Sequence, residues 1–249
     1  MGRWVKPESL QVLRAGAWFG QLDPALEAAL LAEAVPKRLR SGETLHLRGA
    51  AHDGLYAVLD GMLCVSTVGP DGKEAILNML EPPQWFGEIA LFDGLPRTHN
   101  VAALTEASLL HFPTAGLEAM LAREPRWWRD MGRLMAFKLR LAFMGMEDVA
   151  LYSPEVRLAR RLLLLLQPLI KAPAGTPMVV PISQSHLGMM LSLSRQTTNQ
   201  LLQGLQARGV LHVAYGRIEV LELMDLAAVA EVTHLDPHML AHLVPAARA

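Results

Sequence analysis

Turn signals arrive so often between Ser41 and Pro83 that the runs separating them are too short for helices. The breaks are Ser41-Gly42, Gly49, Asp53-Gly54, Asp60-Gly61, Gly69-Pro70-Asp71-Gly72 and Glu81-Pro82-Pro83. Between and after them lie short runs that read as strands, at residues 44–47, 55–59, 62–68, 75–80, 100–104 and 108–112. Short stretches at this spacing satisfy their backbone by pairing with one another, which predicts a sandwich or barrel of strands. Asp71-Gly72 predicts a hairpin within it.

Helical periodicity flanks this region on both sides. Leu10, Leu13, Leu22, Leu26, Leu30 and Leu31 recur over residues 8–34, and Asp23-Pro24 has the form of an N-cap followed by proline at the first helical position. From Pro125 onward, Trp128, Gly132, Met135, Leu139, Ala142, Met146 and Val149 follow at alternating steps of four and three, a heptad seam. A second stripe, Trp127, Met131, Leu134 and Leu141, is interrupted by Lys138. A helix with two apolar stripes has two apolar neighbours. One is its own strand region; the other is either more of the same chain or the same helix of a second subunit across a two-fold axis. Ser153-Pro154 restarts a helix that reaches Leu169, and residues 171–177 form a loop rich in Pro, Gly and Ala. Residues 182–191 read as a short serine-capped helix, and residues 195–208 as a longer one capped by Ser194 and closed by Gly209. Residues 210–214 and 217–221 read as two strands around Tyr215-Gly216, and Asp225 as the cap of a further helix.

Composition narrows the class. With 249 residues, 51% hydrophobic, 19% charged and a net charge of -1, the chain can build a core and is not disordered. Its single cysteine, Cys64, forbids an internal disulfide, a zinc site of cysteines alone and an iron–sulfur cluster within one chain. It also points to a reducing, intracellular medium. The longest apolar run, residues 162–166, falls far short of the ~18 residues a spanning helix needs, and no run of signal-peptide length opens the chain. The expectation is a cytoplasmic protein with no membrane partner. Charge is unevenly placed. Between residues 151 and 217, Arg157, Arg160, Arg161, Lys171, Arg195, Arg208 and Arg217 are opposed only by Glu155, while the flanking segments are net acidic. Such a block is either a phosphate-binding module or a solvated helix face.

Two stretches carry chemistry. A short helix, a three-residue turn, a second helix and a hairpin make the outline of a winged helix-turn-helix. The second helix opens Arg195-Gln196-Thr197-Thr198-Asn199-Gln200, and its apolar residues come later. Arg195 can donate to a guanine in bidentate fashion, and Gln196, Asn199 or Gln200 can bond an adenine. Thr197, Thr198, Arg208 and Arg217 suit the DNA backbone. The alternative is an ordinary helical hairpin with a polar face. The other stretch runs from Phe86 through Gly87, Glu88, Ile89 and Ala90 to Arg97, Thr98 and His99. Gly87 allows a close backbone approach, and a helical turn over residues 88–92 can present N–H groups to an anion. Arg97 can clamp a phosphate with Thr98 adding a hydroxyl, and Glu88 suits a ribose hydroxyl. The plain alternative is a surface loop closed by an Arg97–Glu88 ion pair. His234, His238 and His242 are spaced four apart, but Pro237 starts a helix that aligns only the last two, fewer than a metal site wants. Cys64 reads as a buried, inert thiol. No nucleophile–base pair supports an enzyme.

Together these landmarks resemble the Crp/Fnr family of bacterial transcription regulators over about residues 20–222. They are Ser41-Gly42-Glu43-Thr44, Leu55-Tyr56-Ala57-Val58-Leu59-Asp60-Gly61, Gly72-Lys73-Glu74, Phe86-Gly87-Glu88, Arg97-Thr98 and Ser194-Arg195. The resemblance implies an α+β chain. Residues 1–124 would hold an N-terminal jelly-roll-like β-roll that binds cyclic AMP or cyclic GMP, and residues 125–150 a long dimerisation helix. Residues 151–249 would hold a C-terminal winged helix-turn-helix and a tail. It further implies a homodimer on a pseudo-palindromic duplex DNA site, acting with RNA polymerase. The ligand cassette maps to Gly87, Glu88, Ile89, Ala90, Arg97 and Thr98. This sequence departs from the family pattern at several points. Ala142 and Phe143 stand where cyclic-AMP-binding members use Thr and Ser to contact adenine. His99 stands where Ala is usual, Gln196 replaces a Glu, and Gln200 replaces an Arg. These departures keep a second reading open, with another effector (haem, a dinucleotide, a metabolite) or none, and a third in which the chain acts through protein contacts.

Overall fold

The computed structural model describes residues 5–170 and 176–232. Lys171 and the histidine series at 234, 238 and 242 lie outside the described residues. The chain divides into two compact units, Met1–Ala142 and Phe143–Ala249.

The first unit begins with helices α1 (Pro7–Ala15) and α2 (Pro24–Glu33). Asp23 caps α2, its carboxylate accepting from Ala25 N at 2.7 Å, with Pro24 in the first turn as the sequence predicts. Strands β1 (Val35–Leu39), β2 (Thr44–His46), β3 (Gly54–Asp60), β4 (Leu63–Val68), β5 (Glu74–Leu80) and β6 (Trp85–Phe86) follow. Helix α3 (Glu88–Asp93), strands β7 (Asn100–Ala103) and β8 (Ala107–Pro113), and helix α4 (Thr114–Arg123) lead into the long helix α5 (Trp128–Leu151). The strands form two four-stranded antiparallel sheets, ordered β1-β8-β3-β6 and β2-β7-β4-β5. Alternation along β3 shows how they are used. Tyr56 and Val58 join Leu63, Phe86, Val101 and Leu109 in a core shared by the two sheets. Leu55 and Ala57 point the other way, into a second core with Leu26, Leu30, Leu117, Met131 and Leu134 from the helices. This is the expected β-roll, with helices on one outer face.

Two strands of this unit, like β9 (Val179–Val180) in the second, have no counterpart in the sequence expectations. β1 reads Val-Pro-Lys-Arg-Leu, without an apolar alternation. It sits at a sheet edge, where proline and charge are tolerated. β6 is two residues long, too short for any periodicity.

The second unit carries the end of α5, then α6 (Pro154–Ile170), β9 (Val179–Val180), α7 (Gln184–Leu191), α8 (Arg195–Ala207), β10 (Leu211–Ala214), β11 (Arg217–Val220) and α9 (Leu223–Val229). Ser183 caps α7 by accepting from His186 N at 3.1 Å, and Ser194 caps α8 by accepting from Thr197 N at 3.0 Å. Gly209 ends the second of these helices at φ 75°. β10 and β11 form the expected hairpin, and β9 extends it. The expectation for Asp225 is corrected: the cap position is Glu222, and Asp225 lies in the first turn of α9. A carboxylate there still favours the helix N-terminus.

The seam on α5 stays largely open. Leu139, Met146 and Val149 are 54%, 67% and 65% exposed, so the described residues do not cover that part of the stripe. Among the described residues no helix is long and apolar enough to cross a membrane.

Candidate functional site

β6 ends at Phe86 and α3 begins at Glu88, so Gly87 alone must turn the chain. It does so at φ 99°. A Cβ there would stand 2.7 Å from both Arg97 Nη1 and Gly54 O. Backbone angle and space therefore both demand glycine.

That close approach seats Arg97, whose side chain is 4% exposed. Its Nη2 donates to Gly54 O at 2.6 Å and to the Asp53 carboxylate, and its Nη1 donates to Gly87 O at 3.3 Å. Its Nε is buried and has no partner among the described residues. Asp53 also accepts from the Tyr56 hydroxyl, and His111 Nε2 lies 2.9 Å from the Asp53 carbonyl oxygen. Burial pushes the Asp53 carboxyl up, but Tyr56, Arg97 and His111 outweigh it and hold it below its usual range. Burial and the Asp53 carboxylate push the Tyr56 hydroxyl far above its usual range.

The Arg97–Glu88 pair of a plain surface loop does not form. Glu88 is buried and accepts from Lys138 Nζ at 2.7 Å. This contact explains why Lys138 interrupts the inner stripe of α5: it lies on the strand-facing side of the helix and meets a carboxylate there. Ala90 is buried beside it, while Ile89 and Thr98 are exposed. His99 is half-buried, its pKa lowered by burial and by Arg48. Ala142 and Phe143 are exposed on α5, where the first unit ends and the second begins.

In the second unit, Arg195, Gln196, Asn199 and Gln200 all project to solvent from the first turns of α8. Thr197 is half-buried, its hydroxyl 2.8 Å from that of Ser194. Thr198 does not fit the role of a phosphate contact. It is fully buried and donates to Ser194 O at 3.0 Å. A Cβ on Gly188 would stand 2.7 Å from its oxygen, so Thr198 sets how closely α7 and α8 pack. Arg208 is exposed and pairs with Glu155. Arg217 is exposed beside the β10–β11 turn, and Tyr215 at its tip is fully exposed.

Both places agree with comparisons to known proteins. The model of the cyclic nucleotide-binding domain matches residues 36–124, and that of the Crp-like helix-turn-helix domain matches residues 156–229. The chain belongs to the Crp/Fnr family. It is 28% identical over 197 residues to the CRP-like cAMP-activated global transcriptional regulator of Mycobacterium tuberculosis, covering 79% of this chain and 88% of that one. A crystal structure of a CRP-family transcriptional regulator from Thermus thermophilus superposes with a TM-score of 0.64 at 26% identity, covering 78% of this chain and 96% of that one. FixK2 from Bradyrhizobium japonicum shares the fold, with a TM-score of 0.70 at 21% identity, covering 79% of this chain and 96% of that one.

As a Crp/Fnr member the chain is a DNA-binding transcription regulator with a cyclic-nucleotide-binding domain, in a family of non-catalytic transcription factors. Cys64 is a buried thiol whose pKa burial and Glu74 raise to about 11, so it is chemically quiet. Sequence reasoning missed four residues of the Arg97 neighbourhood: Asp53, Tyr56, Lys138 and His111. Asp53 looked like half of a turn signal, and Tyr56 and His111 looked like strand residues. Only Lys138, a cation in an apolar stripe, gave a usable sign.

Proposed function

We propose that the chain acts as a homodimer whose hold on DNA is set by a cyclic nucleotide bound in the β-roll. The observation that carries this reading is the unpartnered Nε of Arg97. A buried guanidinium fixed on one side by Asp53, Gly54 and Gly87, with one donor left over, suits an anionic oxygen. Glu88 at the first position of α3 offers its second carboxylate oxygen to a ribose hydroxyl. The relative from Mycobacterium tuberculosis is named for activation by cyclic AMP, in line with this ligand class.

The exposed seam of Leu139, Met146 and Val149 supports pairing of α5 with its copy in a second subunit. Two such subunits would present their α8 helices to successive major grooves about one helical turn apart. Arg195, Gln196, Asn199 and Gln200 would then read bases, with Thr197, Arg208 and Arg217 on phosphates and RNA polymerase as the downstream partner. For the effector to switch DNA binding, it must favour the DNA-competent state over the other.

A second reading is favoured by Asp53. Its carboxylate already occupies Arg97 Nη2, so the roll has an internal anion and can stand without an effector. A thermal melt separates the two. A nucleotide at about one hundred times its dissociation constant stabilises the native state by roughly 2.7 kcal/mol. A raised midpoint with cyclic AMP or cyclic GMP, lost in Arg97→Ala, supports the first reading. No shift with either, nor with cyclic di-GMP, supports the second.

A further inference from the structure

We infer that His46 is a specificity-determining residue of the roll, hydrogen-bonding the base of a purine cyclic nucleotide whose phosphate is held at Arg97. The inference rests on the effector reading above and adds to it the group that tells one base from another.

His46 closes β2, and the pairing of β2 with β7 shifts register between Thr44 and His46. A shift of this kind re-aims a side chain. Here it turns the imidazole toward the shared core of the two sheets: its ring centroid lies 6.4 Å from that of Tyr56 and 6.4 Å from that of Phe86. The guanidinium carbon of Arg97 lies 5.7 Å from the same Tyr56 ring. One aromatic ring therefore has Arg97 and His46 as joint neighbours. The backbone ties the two segments as well, since Gly49 N donates to Arg97 O at 2.8 Å and Arg97 N donates to Ala50 O at 2.8 Å.

The ring is half-buried, yet its Nδ1 is wholly buried and has no partner among the described residues. Nearby polar groups are already engaged. Asp53 holds Arg97 and Tyr56, and Asn100 accepts from Arg48 N at 2.8 Å. A buried polar atom without a partner is uncommon and calls for an explanation; a ligand that supplies the missing hydrogen bond is one. Burial, with Arg97 adding to it, lowers the imidazole pKa to about 4. The ring is therefore neutral at physiological pH and brings one N–H and one lone pair, with no charge for a phosphate. That chemistry matches a base edge. Ala142 and Phe143 offer no polar side-chain atom for that task.

The test is calorimetric titration of the full-length protein with cyclic AMP and with cyclic GMP, for wild type, His46→Leu, His46→Gln and Arg97→Ala, beside a melt of each ligand-free protein. His46→Leu removes an unsatisfied buried group, so its ligand-free midpoint should hold or rise. It should bind the preferred nucleotide about tenfold or more weakly, and the ratio of the two affinities should move toward one. His46→Gln, which keeps a hydrogen-bonding side chain, should retain binding, and it carries the test if the leucine variant fails to fold. Arg97→Ala should lose both nucleotides alike. Affinities and ratio unchanged within twofold in His46→Leu, or binding weakened about tenfold or more in a folded His46→Gln, would overturn the inference and leave the effector reading standing. Wild type binding neither nucleotide would overturn both.

Discussion

Arg160 clasps three parts of the second unit, and its removal has a magnitude that can be worked out. It is buried on α6. Its Nη1 donates to the Asp148 carboxylate on α5 at 2.6 Å, its Nε to Ala230 O at 2.8 Å and its Nη2 to Glu231 O at 3.2 Å. Its guanidinium carbon also lies 3.7 Å from the centre of the Tyr152 ring. The pair is dry, with side chains 5% and 16% exposed. Arg160→Ala therefore removes the ion-pair partner of the largely buried Asp148 carboxylate and leaves only the charge of Arg161 acting on it, which costs toward the lower end of about 3–5 kcal/mol. It also strips the donors from two carbonyls at the end of α9, at about 1 kcal/mol each where water cannot reach. Water will enter the space left by so large a side chain, so the expected loss is about 4 kcal/mol. Urea unfolding can localise it, because all five tryptophans lie within residues 1–142. Tryptophan fluorescence then follows the first unit, while far-UV ellipticity follows the helices of both. At an m-value of about 2 kcal/mol/M, the ellipticity transition of the second unit should fall by about 2 M with the fluorescence midpoint unmoved. Asp148→Asn in the Arg160→Ala background should recover part of the loss, since the unpaired charge is gone. A midpoint shift below about 0.3 M, or further destabilisation by Asp148→Asn, would refute the reasoning.

Burial raises the Glu81 carboxyl from the usual 4.5 to about 7, and one of its oxygens has no partner among the described residues. Folding thus favours the protonated acid: the benefit is whole below pH 4.5 and is lost as pH rises through 7. Stability should fall by about 3 kcal/mol over that span through this group alone, and urea midpoints measured against pH should show a flatter slope in Glu81→Gln. Arg195→Ala should weaken binding by about 1–3 kcal/mol and relax preference at one base pair in a competition assay. Thr198→Val should lower stability while leaving the base preference unchanged, and a shift in preference would return Thr198 to the DNA surface. Leu139→Glu places like charges opposite each other in the proposed dimer, so sedimentation should show dissociation at least about a hundredfold easier.

What the sequence made legible follows from which forces are local. Caps and turns depend on neighbours along the chain. Asp23, Ser183 and Ser194 each cap the helix they were expected to cap, and the hairpins at Asp71-Gly72 and Tyr215-Gly216 form. Strands of alternating residues, such as β3 and β8, were also readable, because each buries one row against each of two cores. β1 was hidden because an edge strand needs no second buried row. Thr198 looked like its neighbours in a polar run; only the crossing of α7 over α8 buries it. The Arg97 neighbourhood was half legible. Gly87 and Arg97 announced themselves by type, but Asp53 is forty-four residues from Arg97 and Lys138 fifty from Glu88. Pairings at that distance come from sheet order and helix packing, which no local pattern records. His46 was passed over for the same reason, as a polar residue within the expected strand at 44–47.

The central claim joins Arg97 in one unit to Arg195 in the other through a nucleotide. The most direct test is the affinity of the full-length protein for a duplex selected from a random pool, measured by fluorescence anisotropy at fixed salt with and without cyclic AMP and cyclic GMP. Fixed salt matters because phosphate contacts make every such affinity salt-dependent. The account predicts at least a tenfold gain with one nucleotide, equivalent to about 1.4 kcal/mol of coupling. Arg97→Ala should lose that gain and keep the nucleotide-free affinity, and Arg195→Ala should keep the gain and lose the sequence preference. Equal affinity with and without either nucleotide, or a gain that survives Arg97→Ala, would contradict it.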